Sequence, residues 1–174
     1  MKEKDVPTGK MYILVQLIKR LRRLIPWAKP LYTETRWPTP GVRRRRSVFI
    51  RVIDCGSSNA AEQEILAIFN PVYDAESYGF HLVASPRHAD LLLITGPLTR
   101  NMEGPLLNAF HAMPEPRWVV TIGDDIAGDS VFQHSYATVP LPQEISSVRL
   151  AHIPGSPPNP DQILETLLTL KLTR

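Results

Sequence analysis

Three short stretches hold the side chains with chemical potential, and they lie far apart in the chain. They are Asp54-Cys-Gly-Ser-Ser-Asn59, Gly123 to Ser130 with its paired acids Asp124 and Asp125, and Pro154-Gly-Ser-Pro-Pro158. Together they offer one thiol, several hydroxyls and several carboxylates. Cys55 is the only cysteine, which excludes an internal disulfide framework and fits a reducing compartment. Glu62 and Glu64 follow the first stretch at the start of an expected helix, where the helix dipole favours carboxylates. His81, His88, His111, His134 and His152 show no metal-ligand spacing with Cys55 or with one another. Gly123-Asp-Asp-Ile-Ala-Gly128 lacks both a Walker lysine and the three-glycine dinucleotide fingerprint, so nucleotide binding has no support. No Ser-His-Asp triad follows from the order of residues alone.

Something must bring these stretches together. Ser47-Val-Phe-Ile-Arg-Val-Ile53 reads as a first strand, and Ala60 to Phe69 as a helix with Asn59 as its N-cap. Phe80 to Val83 is a short strand. Asp90-Leu-Leu-Leu-Ile-Thr95 is an unbroken apolar run, as expected of a strand covered on both faces. A helix over about Met102 to Met113 follows, its first turn exposed to breakage by Gly104 and Pro105. Trp118 to Ile122 and Arg149 to Ile153 are further strands, and Pro160 to Leu172 closes the chain with a helix. Alternating strands and helices predict an α/β three-layer sandwich with a small, largely parallel, flavodoxin-like sheet. In such a sheet ligands collect beyond the carboxyl ends of the strands. All three chemical stretches leave the sheet at that end.

Charge divides the chain differently. Residues 1–51 hold 14 Lys and Arg against 3 Asp and Glu, while the rest hold 6 against 14, so a +11 arm precedes a −8 domain. Within the arm, Leu14, Leu17, Ile18, Leu21, Leu24 and Ile25 recur at helical spacing, with Lys19, Arg20, Arg22 and Arg23 on other faces. Pro26 ends this helix beside Trp27. A basic amphipathic helix suits a membrane surface or a groove on a membrane partner, here through residues 11–27; packing on its own domain is the plainer alternative. The prolines and arginines of 28–46 read as an extended connector. The expected organisation is therefore an arm over 1–46 and a domain over 47–174. No run of about eighteen apolar residues predicts a spanning helix, and the arm does not read as a secretory signal.

The domain resembles the small iron–sulfur subunit shared by respiratory complex I and the membrane-bound, energy-converting [NiFe]-hydrogenases of the formate hydrogenlyase type. Ser85-Pro-Arg-His-Ala-Asp-Leu-Leu-Leu-Ile-Thr-Gly-Pro-Leu-Thr-Arg-Asn-Met102 carries the resemblance most strongly. Phe69 to Gly79, Pro116 to Gly123 and Ile153 to Pro158 extend it, so that it covers about Ser47 to Leu172. In the hydrogenase-type branch the loops read Cys-Asn-Gly-Cys-(Glu/Asp)-Ile-Glu, Gly-x-Cys and Pro-Gly-Cys-Pro-Pro, and the four thiolates hold one [4Fe–4S] cluster. On this chain those positions are Ser58, Ala61, Asp125 and Ser156. None is cysteine, and Cys55 stands three residues before the first of them.

The resemblance thus implies a family cofactor, the [4Fe–4S] cluster, that the ligand chemistry argues against here, because soft thiolates match the iron–sulfide core and alanine supplies no donor. No cofactor is expected. The implied role is a pseudo-redox, structural and coupling subunit of an ion-translocating membrane assembly, not catalytic alone. Implied partners are a hydrogenase-like or complex I-like large subunit and membrane-arm subunits, antiporter-like ones included, on the cytoplasmic side of the inner membrane. The resemblance also suggests Glu64 as a proton relay, and Glu62, Arg87, His88 and Arg100 as partner contacts, with bracing of their own loops as the alternative for the basic residues. Two other readings stand beside this one. A redox subunit with an atypical iron–sulfur site would show an iron spectrum on reduction. A flavodoxin-like module gripping nucleic acid through Arg43 to Arg46 would show steep salt dependence; it leaves the long resemblance unexplained, and nucleic acid is not an expected partner.

Overall fold

A β-branched and aromatic run, Val48-Phe-Ile-Arg-Val-Ile-Asp54, forms strand β1, and the strands that join it all run the same way. The computed structural model describes residues 47–128, 131–132, 135–170 and 172. The expected amphipathic helix, with Leu14, Leu17, Ile18, Leu21, Leu24 and Ile25, and the connector to residue 46 lie outside the described residues. Helix α1 (Ala60–Ala67) follows β1, then β2 (Phe80–Leu82), β3 (Leu91–Thr95), α2 (Arg100–Ala112), β4 (Trp118–Ile122) and the short α3 (Asp124–Ala127). The short α4 (Gln143–Ser147), β5 (Arg149–Ile153) and α5 (Pro160–Thr169) complete the order. The sheet is parallel throughout in the order β2-β1-β3-β4-β5. This is the flavodoxin-like arrangement that the alternation predicts.

The apolar run at β3 explains the three layers. Its side chains alternate across the sheet, and all five residues are buried. Leu91 and Leu93 enter a core with Ile50, Ile65, Phe80, Val120, Ile163 and Leu167, beneath α1 and α5. Leu92 and Ile94 enter the opposite core with Ile53, Leu106, Phe110, Val119 and Ile145, beneath α2 and α4. A strand apolar on both faces has no stable place at a surface, so helices must cover both sides.

Two local expectations change. Asn59 is not a side-chain cap: it adopts a left-handed backbone (φ 67°) and makes no capping hydrogen bond. Gly104 and Pro105 do not break their helix, which starts two residues earlier, at Arg100, and runs through both. Pro105 is the sixth residue of the helix and is exposed, so its ring displaces only the carbonyl of Asn101, itself exposed, which water can serve. Among the described residues no helix is long and apolar enough to cross a membrane.

Candidate functional site

The strand order reverses between β1 and β3, and the helices that follow these two strands cover opposite faces of the sheet. The loop after β1 is shaped by Asp54, whose Oδ1 accepts from the backbone N–H of Gly56 (2.8 Å) and Ser57 (2.6 Å). This carboxylate turn starts the bend at once. The loop then runs against the one after β3. A Cβ on Gly96 (φ +69°) would stand 2.4 Å from Ser57 N, and one on Gly56 (φ +130°) would stand 2.6 Å from Thr99 Cγ2. Only glycine permits both the backbone angle and the approach.

On the other side, the loops after β4 and β5 are clamped together. Gly123 N–H donates to the Ile153 carbonyl (2.8 Å) and Asp124 N–H to the Gly155 carbonyl (3.0 Å). Gly155 N–H donates in return to Asp124 Oδ1 at 2.7 Å. Asp124, which the sequence singles out only as a neighbour of Asp125, is the pin of this clamp.

The four loops enclose a cavity of about 530 Å³ lined by Gly56, Ser57, Ser58, Pro97, Asp124, Asp125, Val131, Phe132 and Ser156. Three of the four positions matched to cluster ligands therefore meet, although they span almost a hundred residues of sequence. Ser58 and Ser156 are exposed and Asp125 is half-buried. Ala61 is absent from the lining; it is buried in the core beneath α1, with Ile65 and Ile68 at the same helical phase.

Cys55 does not compensate. Its residue is fully buried in the core beneath α2, beside Leu98 and Leu106. Its backbone is held there by Thr95 and Thr99: Cys55 N–H donates to the Thr95 carbonyl (3.0 Å), and Thr99 donates to the Cys55 carbonyl through both N–H and Oγ1 (3.0 Å each). Burial first, then the nearby carboxylates of Asp54 and Glu62, push the thiol from its ordinary 9.0 up to about 12. A metal ligand or reactive thiol needs the opposite shift. The three ligand-matched positions at the mouth supply two hydroxyls and a carboxylate, and the other polar side chains lining it, Ser57 and Asp124, are also oxygen donors. With no sulfur among the described lining residues, this set does not fit a [4Fe–4S] cube.

The remaining candidates fall elsewhere. Glu62 lies just inside the loop, its carboxylate accepting hydrogen bonds from Ser57 Oγ (2.6 Å) and Thr95 Oγ1. Glu64 is half-buried on α1 and is not among the cavity's lining residues. Arg87 and His88 are exposed on the turn Pro86–His88, within the crossover from β2 to β3. Arg100 braces its own domain: its N–H donates to the Ala137 carbonyl (2.8 Å) and its Nε to the Tyr136 carbonyl (2.5 Å). Tyr136 is itself exposed, as are Val131 and Phe132 of the cavity lining. A second cavity, about 500 Å³, opens beside β1 where β2 stops short, walled by Glu62, Ile65, Leu66, Met102 and Pro105 among others.

A parallel sheet with this switch point and these four loops defines a flavodoxin-like domain with a loop crest at its carboxyl edge. Residues 57–170 match the family model described as NADH ubiquinone oxidoreductase, 20 Kd subunit, and the chain belongs to that family. Among curated relatives, formate hydrogenlyase subunit 7 of Escherichia coli is 39% identical over 116 residues, covering 67% of this chain and 45% of that protein. The probable membrane-bound hydrogenase subunit mbhJ of Pyrococcus furiosus is 40% identical over 120 residues, covering 68% of this chain and 71% of that one. An uncharacterized protein of Methanocaldococcus jannaschii, MJ0516, is 36% identical over 125 residues, covering 72% and 83%. This chain thus spans less than half of the E. coli protein it matches. Among solved structures, a chain of the archaeal membrane-bound sulfane sulfur reductase, a respiratory membrane complex, superposes with a TM-score of 0.58 at 22% identity over 72% of this chain and 70% of that one. At that identity the likeness speaks for the fold.

Proposed function

We propose that this chain is a cluster-free small subunit of a membrane-bound complex built on the complex I or hydrogenase plan, serving assembly and coupling in place of electron transfer. The observation that carries the reading is the donor set. Ser58, Asp125 and Ser156 still converge on one cavity, Ala61 points no donor at it, and the one thiol lies in the core beneath α2. The family scaffold supports a retained docking role. The loop crest, with its exposed Val131, Phe132 and Tyr136, is the face for a hydrogenase-like or complex I-like large subunit. The basic arm, residues 1–46, meets the membrane-arm subunits, antiporter-like ones included, or the lipid surface through residues 11–27, on the cytoplasmic side of the inner membrane. Ion movement in such an assembly is coupled through subunit contacts, with this subunit transmitting them. Glu64, on α1, is the candidate relay for protons that the family resemblance suggests.

Iron and acid-labile sulfide analysis of the anaerobically purified complex tests the reading. The expected value is no iron attributable to this subunit. About four iron atoms per copy, the content of one [4Fe–4S] cluster, would defeat it.

A further inference from the structure

We infer that Glu62 is the positioning residue of the loop Asp54–Asn59, tying the partner-facing Ser58 to the end of the sheet by a carboxylate–hydroxyl brace that needs no metal. The inference rests on the cluster-free reading above and says what holds the loop in shape. The first half of the loop is anchored by Asp54 and by the backbone of Cys55, whereas Ser57 to Asn59 are small or polar residues, and Gly56 (φ +130°) and Asn59 (φ 67°) on either side of Ser57 and Ser58 have left-handed backbones. Such a segment has much freedom to lose on ordering.

Glu62 meets it from two directions. Its Oε2 accepts from Ser57 Oγ at 2.6 Å, within the loop, and its Oε1 accepts from Thr95 Oγ1, at the end of β3. Ser57 Oγ accepts in turn from Asn59 N–H at 3.0 Å. Thr95 is fully buried, and its hydroxyl also lies 3.3 Å from the Ile53 carbonyl. One side chain therefore joins the first turn of α1, the loop and the last residue of β3. Ser58 stands between the two braced residues, so its place follows from theirs. Hydroxyl donors to an ionised carboxylate make stronger bonds than neutral pairs. A carboxylate serving only the helix start would accept from free backbone N–H groups of the first turn, not from two side-chain hydroxyls.

The test compares Glu62→Ala, Glu62→Gln and Thr95→Val in the full chain within its purified complex, by hydrogen exchange of residues 56–59 and by retention of the large subunit. Glu62→Ala is expected to speed exchange in the loop about tenfold or more, the scale of a lost charged hydrogen bond, and to weaken retention. Thr95→Val, which keeps the buried volume, is expected to do so by a smaller factor. Glu62→Gln is expected to restore most of the protection, because its amide oxygen accepts from Thr95 and its NH₂ donates to Ser57. Unchanged exchange in Glu62→Ala, or Gln behaving as Ala does, would overturn the brace. The two readings fail differently: a silent Glu62→Ala in an iron-free complex removes only the brace, whereas iron at about four per copy whose chelation frees the loop removes the cluster-free reading itself.

Discussion

The sheet and the loop crest above it are held by different forces, and the contrast explains how one can change while the other stays. The sheet is apolar on both faces: Leu91 and Leu93 serve one core, Leu92 and Ile94 the other, and no polar contact is needed to define them. The crest is held almost wholly by oxygen and nitrogen: Asp54 on Gly56 and Ser57, Glu62 on Ser57 and Thr95, Asp124 on Gly155. Hydrophobic burial is non-directional and scales with area, so the scaffold tolerates loop replacement provided the alternation survives. Hydrogen bonds are directional and local. A site can therefore exchange its donors, sulfur for oxygen, without the fold beneath it registering the change.

The largest effect should come from the sheet. Leu92→Ala removes a fully buried side chain from the core beneath α2 and should cost about 2–5 kcal/mol by chemical denaturation, with loss of assembly following from loss of folding. A cost near zero would mean that the two cores are not what supports the crest.

Cys55 sharpens the comparison because it sits where the two regions meet. Above pH 9.0 an unfolded chain releases this proton, whereas the folded chain holds it until about pH 12. The native state then binds more protons than the unfolded one, so stability falls as pH rises through that window, by about 1.4 kcal/mol per unit, and this contribution vanishes below it. Cys55→Ala should flatten that part of the alkaline slope in urea titrations at pH 9 to 11. The wild-type thiol should also react slowly with thiol reagents at pH 8 until the domain is unfolded. Rapid labelling of the native protein would place the thiol at the surface, with the crest and not with the core.

The sequence discloses these two regions unequally. The run Leu91 to Ile94, apolar at every position, fixes a doubly covered strand and with it the three layers, since periodicity is a local property. The meeting of Ser58, Asp125 and Ser156 is legible too, through the family motifs and the rule that loops gather at the carboxyl edge. The braces are not. Thr95 reads as the last residue of a strand, Asn59 reads as a cap, and Asp124 reads as one of two acids; their roles depend on partners 33, 2 and 31 residues away whose approach only the folded chain defines. Ala61 shows the same limit. Its helical phase with Ile65 and Ile68 was available, but that this turns it from the cavity into the core is a fact of how α1 lies on the sheet.

The smallest effect on stability, and the one most specific to the crest, should come from its rim. Val131 and Tyr136 are 98% and 90% exposed, large side chains that contribute little burial to the domain. Val131→Ser with Tyr136→Ser should leave the denaturation midpoint within about 0.5 kcal/mol of wild type, as surface changes generally do. Retention of the proposed large subunit should nevertheless fall, because exposed apolar residues beside a cavity mark a contact surface. Arg100→Ala supplies the intermediate case. It removes the Nε bond to the Tyr136 carbonyl while leaving the backbone bond to Ala137 in place, so the rim should loosen without being emptied. Retention should then rank wild type, Arg100→Ala, and the double variant last. If all three hold the partner equally, the large subunit docks elsewhere, and the contrast between an apolar scaffold and a polar, partner-facing crest loses its functional half.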